Sequence, residues 1–208
     1  MKKDDISTLY TPDFIQEIKQ IVTNARQKAY VAINSAMVEA YWLMGKRIVE
    51  QEQEGKGRAD YGSRLLKSLS KELTAEFGKG FSVGSLYYYR QFYQTFPEIF
   101  ATPWRILTWS HYKRLMQVSN ANARAWYQKE AAEQMWSYRT LDRNIGSQYY
   151  ERLLLSQHKD VVEGEMKALT ASLGNDSMEF IKNPTVAEFI GLAPNTDFTE
   201  SDLESAII

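Results

Sequence analysis

No proline interrupts the chain between Pro12 and Pro97, and a second proline-free stretch runs from Trp104 to Asn183. Proline removes a backbone donor and clashes with the preceding turn, so its absence leaves room for long helices. The apolar pattern uses that room. Phe14, Ile18, Ile21, Ala25, Ala29, Ile33, Met37, Ala40, Met44 and Ile48 recur at three- and four-residue steps. That period predicts one helix from Pro12 as far as Glu54 with a single buried stripe. Thr11 can cap it, Pro12 suits its first position, and Asp13 complements the positive end of the dipole. Gly55-Lys56-Gly57 should end it, and Gly45 should make it locally irregular.

A second helix is predicted over about Tyr61–Phe77, burying Leu65, Leu66, Leu69, Leu73 and Phe77, with Gly78 as its left-handed stop. Ser82 can cap a third, which runs to about Thr95, turns Leu86, Tyr89, Tyr93 and Phe96 inward, and is closed by Pro97. Further helices are expected at Ser110–Val118, Asn122–Met135 and Tyr138–Leu155, capped by Ser110, Asn120 and Ser137. Period-two alternation is scarce, so the fold class is all-α. The predicted organisation is a helical domain over 1–155, a linker over 156–183, and a short helical extension over 184–208. Thr199-Glu200-Ser201-Asp202 is close to a capping box for a last helix, which the sequence leaves barely two turns long.

Charge is divided as sharply as the pattern. Residues 1–160 hold 23 Lys and Arg against 17 Asp and Glu, a balance of +6, whereas residues 161–208 hold 2 against 9, or −7. A net charge of −1 therefore averages a basic body and an acidic end. The absence of cysteine excludes disulfides and thiolate metal sites and suits a reducing cytoplasm. No apolar run is long enough for a membrane span, so a cytoplasmic protein without a membrane partner is expected.

Catalytic constellations are missing. His111 and His158 are the only histidines and lie in no ligand spacing. The glycines around Gly78-Lys79-Gly80 lack phosphate-loop spacing and follow a helix. Glu17-Ile18-Lys19 and Glu165-Met166-Lys167 sit in helical patterns, where residues two apart diverge, so no metal site and no small-molecule substrate are expected. Binding chemistry is better represented. Lys79 to Arg152 contains ten Lys and Arg against five Asp and Glu, and 17 of the 27 aromatic residues. Tyr61–Phe77 and Ser82–Thr95, joined by a glycine turn, have the proportions of a helix-turn-helix. Ser85, Tyr88, Gln91 and Gln94 would face outward with Arg90 at the margin, a set able to read bases in a major groove. Lys79, Arg105, Lys113, Arg114, Arg139 and Arg143 could neutralise phosphates around it. Two helices with a glycine turn also occur in ordinary bundles, so a protein-interaction or dimerisation module, paired through the long first helix, is the alternative.

Several runs carry a resemblance. Tyr41-Trp42-Leu43-Met44-Gly45-Lys46-Arg47-Ile48, Glu76-Phe77-Gly78-Lys79-Gly80-Phe81-Ser82 and Arg90-Gln91-Phe92-Tyr93 look like the YhcG family of bacterial proteins. So do Leu107-Thr108-Trp109-Ser110-His111-Tyr112, Trp136-Ser137-Tyr138-Arg139-Thr140-Leu141 and Glu188-Phe189-Ile190-Gly191-Leu192. The resemblance implies an N-terminal helical DNA-binding domain followed by a Mg²⁺-dependent nuclease domain of the PD-(D/E)xK type. Glu204 matches the first acidic residue of that nuclease. On this reading the chain stops inside the first nuclease helix, lacks the catalytic core, is inactive alone, needs no cofactor, and has DNA as its partner.

Overall fold

A computed structural model describes residues 11–54, 59–98 and 107–173 and, beyond them, Val186 and Phe189. These residues form eight α-helices and, among those described, no strand. Helix α1 spans Pro12–Glu54, α2 Ala59–Phe77 and α3 Val83–Thr95, with a single 3-10 turn, Lys79–Phe81, between α2 and α3. Helices α4 (Trp109–Leu115), α5 (Ala121–Glu133), α6 (Tyr138–Gly146), α7 (Tyr149–Leu155) and α8 (Lys159–Thr170) follow. The all-α architecture with a long first helix is as the sequence predicts.

Helix α1 is continuous through Gly45, and its expected single stripe is divided. From Thr11 to Ala29 only Ile15 is even half-buried, so Phe14, Ile18, Ile21, Ala25 and Ala29 lie on an exposed face. Ile21 is 62% exposed. The core begins at Asn34 and runs through Val38, Tyr41, Gly45 and Ile48, flanked by Met37, Trp42 and Val49. At 100° per residue this line is turned by about one residue from the expected line of Ile33, Met37, Ala40 and Met44. The cause is the neighbour. A Cβ built on Gly45 would stand 2.0 Å from the Tyr89 carbonyl oxygen, so α3 crosses α1 where the missing side chain lets its backbone in.

Aromatic side chains fill the space this crossing creates. Tyr41 and Tyr89 stack at 4.2 Å between ring centroids, and Trp109 meets both edge-on or tilted. Phe92 packs on Trp109 and on Tyr112. Two side-chain donors tie the helices at this cluster. Trp42 Nε1–H donates to the Phe96 carbonyl (2.8 Å), and Asn34 Nδ2–H to the Leu107 carbonyl (3.1 Å). Such groups, once dry, must be paired, so each bond fixes where α3 ends and α4 begins. Leu66 of α2 is fully buried, while Phe77, expected inside, is exposed and rests against Phe81 of the turn.

The second half differs from expectation at three places. Helix α4 is capped by Thr108, not Ser110, because His111 completes a capping box with it. The expected Tyr138–Leu155 helix is cut into α6 and α7 at Gln148, whose φ of 55° is left-handed. The stretch 156–183, read as a linker, carries α8, which buries Val162 and Met166. Ser137 and Thr140 hydroxyls both donate to the Leu173 carbonyl, anchoring the end of that helical segment on α6. Asn120 and Ser137 cap α5 and α6 as predicted. From the expected extension, Val186 is buried and Phe189 meets Tyr41 edge-on. The remaining residues of 184–208, Glu204 included, lie outside those described.

Candidate nucleic-acid interface

Helix α3 is held on one side and open on the other. Ser82 caps it by accepting from the Ser85 amide (3.2 Å). The Tyr89 hydroxyl donates to the Gly80 carbonyl (3.0 Å), pinning the glycine turn to the helix that follows. Gly78, at φ 91°, makes the left-handed stop of α2. Leu86, Tyr89, Phe92 and Phe96 face the core. Gly84, Tyr87, Tyr88, Gln91 and Gln94 face solvent. An outward face on a helix whose backbone cannot shift is what recognition requires, since only fixed side chains carry geometric information.

The side chains expected here are therefore sorted by the structure. Tyr88, Gln91 and Gln94 are on the open face. Ser85 is half-buried, with its hydroxyl 3.0 Å from that of Ser82, so it belongs to the cap. Arg90 is turned back to α1 and pairs with Glu52 at 2.7 Å. Lys79 belongs to the 3-10 turn, its side chain not among those described, and Arg105 lies outside the described residues. Lys113 and Arg114 lie on the last turn of α4, and Arg139 and Arg143 are exposed one turn apart on α6. Arg114 Nε–H donates to Asp142 at 2.6 Å, joining these two helices. Helix α4 stands between the groups, packed on α3 through Tyr112 and Phe92 (4.8 Å) and on α6 through that ion pair.

Four exposed side chains on α2 and α3 were passed over by sequence reasoning. Tyr87 is exposed beside Tyr88 on α3. Arg64, Lys67 and Lys71 are all exposed on α2, and their spacing of three and four puts them on one face. That spacing is legible in the sequence, N-terminal to the basic stretch that begins at Lys79. Seven aromatics of the basic stretch, by contrast, are buried in the core, Tyr89, Phe92, Phe96, Trp109, Tyr112, Tyr127 and Tyr149, and Phe81, Tyr93, Trp126, Trp136 and Tyr150 pack half-buried against it.

Among the described residues no three His, Asp or Glu side chains converge on a metal position. His111 is a structural staple. Its Nε2–H donates to the Trp136 carbonyl (2.9 Å), which can only accept, leaving Nδ1 to accept from the Thr108 amide (3.2 Å). Burial pushes its imidazole below the ordinary histidine value, against the backbone at Trp136 and Ser137, which acts the other way. A neutral ring fully used in bridging α4 to the α5–α6 turn has no lone pair left for chemistry.

A helical platform with one open, polar and aromatic helix face is the class this fold defines, and the family follows from comparison. Residues 17–152 match the family model described as the DUF1016 N-terminal domain, about two thirds of the chain. The chain belongs to that family, the N-terminal domain of YhcG-like proteins. It is 34% identical, over 92% of its length, to the protein of Escherichia coli (strain K12) named "Putative nuclease YhcG". It spans 58% of the length of that relative. No solved structure matches. No helix among the described residues is long and apolar enough to cross a membrane.

Proposed function

We propose that this domain binds DNA and so serves as the targeting part of a YhcG-like nuclease. The observation that carries the reading is the open face of α3. Tyr87, Tyr88, Gln91 and Gln94 are presented by a helix locked to α1, next to a turn pinned by Tyr89. Gln can bond adenine edges in a major groove, and tyrosine hydroxyls reach phosphates. Arg64, Lys67 and Lys71 on α2, Lys113 on α4, and Arg139 and Arg143 on α6 are the cations that would meet the backbone. The name of the relative, a nuclease, supports nucleic acid as the partner. Mg²⁺ belongs on this reading to a nuclease domain of the longer protein, and no step of binding passes through it.

Fluorescence anisotropy with duplex and branched DNA at low salt tests this. Binding should weaken steeply with salt, because each neutralised phosphate releases counterions. Gln91→Ala with Gln94→Ala should reduce discrimination between sequences, and Lys67→Glu with Lys71→Glu should weaken binding to all of them. Absence of binding at high micromolar protein refutes the reading. A second reading, a dimerisation module, is favoured by one specific observation, the exposed apolar face of α1.

A further inference from the structure

The outer half of α1 poses a physical problem. A helix of about this length that buries nothing is marginal in water, since helical stability in proteins comes chiefly from packing an apolar face. Yet Ile18, Val22, Ala25, Ala29, Ala32 and Ala36 form a stripe at alternating steps of four and three, and all are exposed. The stripe is not a stray continuation of the core face. At 100° per residue it points about 150° away from the line Asn34–Val38–Tyr41–Gly45–Ile48. A helix laid along it therefore runs on the side of α1 turned away from the core that the described residues form.

A gradient of side-chain size along the stripe says what that helix is. Its N-terminal end is bulky, with Ile15, Ile18 and Val22, and its C-terminal end is small, with Ala25, Ala29 and Ala32. We propose that a second copy of this chain covers it, as an antiparallel pair of α1 helices crossing near residues 23 and 24. This rests on the dimerisation reading of the previous section and is independent of DNA binding. Antiparallel pairing sets Ile15 against Ala32 of the partner, Ile18 against Ala29, and Val22 against Ala25. Every layer then holds one large and one small side chain, and knobs meet holes of constant volume. Parallel pairing would stack isoleucine on isoleucine at one end and alanine on alanine at the other, leaving a bulge and a gap.

Charge at the margins adds no net attraction but marks the arrangement. In an antiparallel pair related by a two-fold axis, like margins meet. Glu17 and Lys28 share one margin, so each faces the other across the pair, and among the described residues neither has an ion pair within its own chain. Lys19 and Arg26 share the other margin and face each other as like charges. The two margins therefore respond in opposite senses to the same kind of substitution.

Sedimentation equilibrium and cysteine cross-linking test the proposal on the 208-residue chain, which contains no cysteine of its own. The expected species is a dimer of the 24.1 kDa chain. Ile18→Glu should raise the dimer dissociation constant at least about a hundredfold, with circular dichroism of the helical body retained. Lys28→Glu should weaken the dimer by about fivefold and Arg26→Glu should tighten it by a similar factor. Ile18→Cys and Ala29→Cys should each fail to cross-link alone and should cross-link when mixed. Self-cross-linking of either variant alone would establish a parallel pair and overturn the proposal, as would a wild-type monomer at about 100 μM. Loss of DNA binding with the dimer intact would refute only the DNA reading, so the two failures are distinguishable.

Discussion

The two halves of α1 are one helix with two fates. Before Val31 it has apolar residues at good helical spacing and buries almost none of them; from Ile33 onward, with a comparable spacing, it forms the centre of the core. Intrinsic pattern is thus not the difference. The inner half has Gly45, which admits the α3 backbone, and Asn34 and Trp42, which donate to the ends of neighbouring elements. The outer half has alanines and charged margins suited to a helix of equal length. An apolar stripe reports that something will be packed against it, and the small and polar residues along it decide what.

Substitutions at matched positions should sharpen this contrast. The largest effect is expected at Gly45→Ala, where the added Cβ would collide with the Tyr89 carbonyl. A loss of about 3 kcal/mol or more in urea-denaturation stability is expected, because backbone is the obstacle and α3 must move. In the outer half Ala25→Gly should cost only about 1 kcal/mol, as helix propensity alone requires. Near-equal losses would abolish the distinction between the halves.

Next in size is Trp42→Phe. It removes the donor to the Phe96 carbonyl and leaves that oxygen dry, so a destabilisation of about 2 kcal/mol is expected by thermal unfolding. Tyr112→Phe should act in the opposite sense. The Tyr112 hydroxyl is buried without a hydrogen-bond partner, so its removal should raise stability by about 1 kcal/mol, measurable as a higher Tm.

Acid should produce a smaller, graded effect confined to the packed body. Because burial lowers the His111 imidazole, the folded state binds fewer protons there than the unfolded state. Its contribution is complete above the ordinary histidine value of 6.5 and is lost progressively as the pH falls below it. Urea midpoints measured from pH 7.5 down to 5 should show this decline, and His111→Gln should flatten it. The smallest effect is expected at Ile21→Ser, which should change the stability of the dilute monomer by less than about 0.5 kcal/mol, since the side chain is mostly exposed.

Much of the fold was legible in the chain. Long proline-free runs, the three-four period, and Ser82, Asn120, Ser137 and Gly78 at helix ends place α1, α2, α3 and α5, and the start of α6, to within a residue or two, because caps and stops are local chemistry. The break at Gln148 was not legible, since a left-handed glutamine has no side-chain signature, and neither was α8, whose short apolar face is weak without its neighbours. Of the candidate interface, Tyr88, Gln91 and Gln94 followed from the period of α3 alone. Arg90 did not, because its pairing with Glu52 depends on how α1 and α3 cross.

By itself, the sequence determined that this protein is helical, where most of its helices start and stop, and which residues are apolar enough to need cover. Only the tertiary structure decided which face of α1 is core, which cations remain in solvent, and which aromatic rings are structural. The physical reason is range. Capping and periodicity act within a few residues along the chain, whereas burial and ion pairing depend on groups brought together across it, as Gly45 and Tyr89 are.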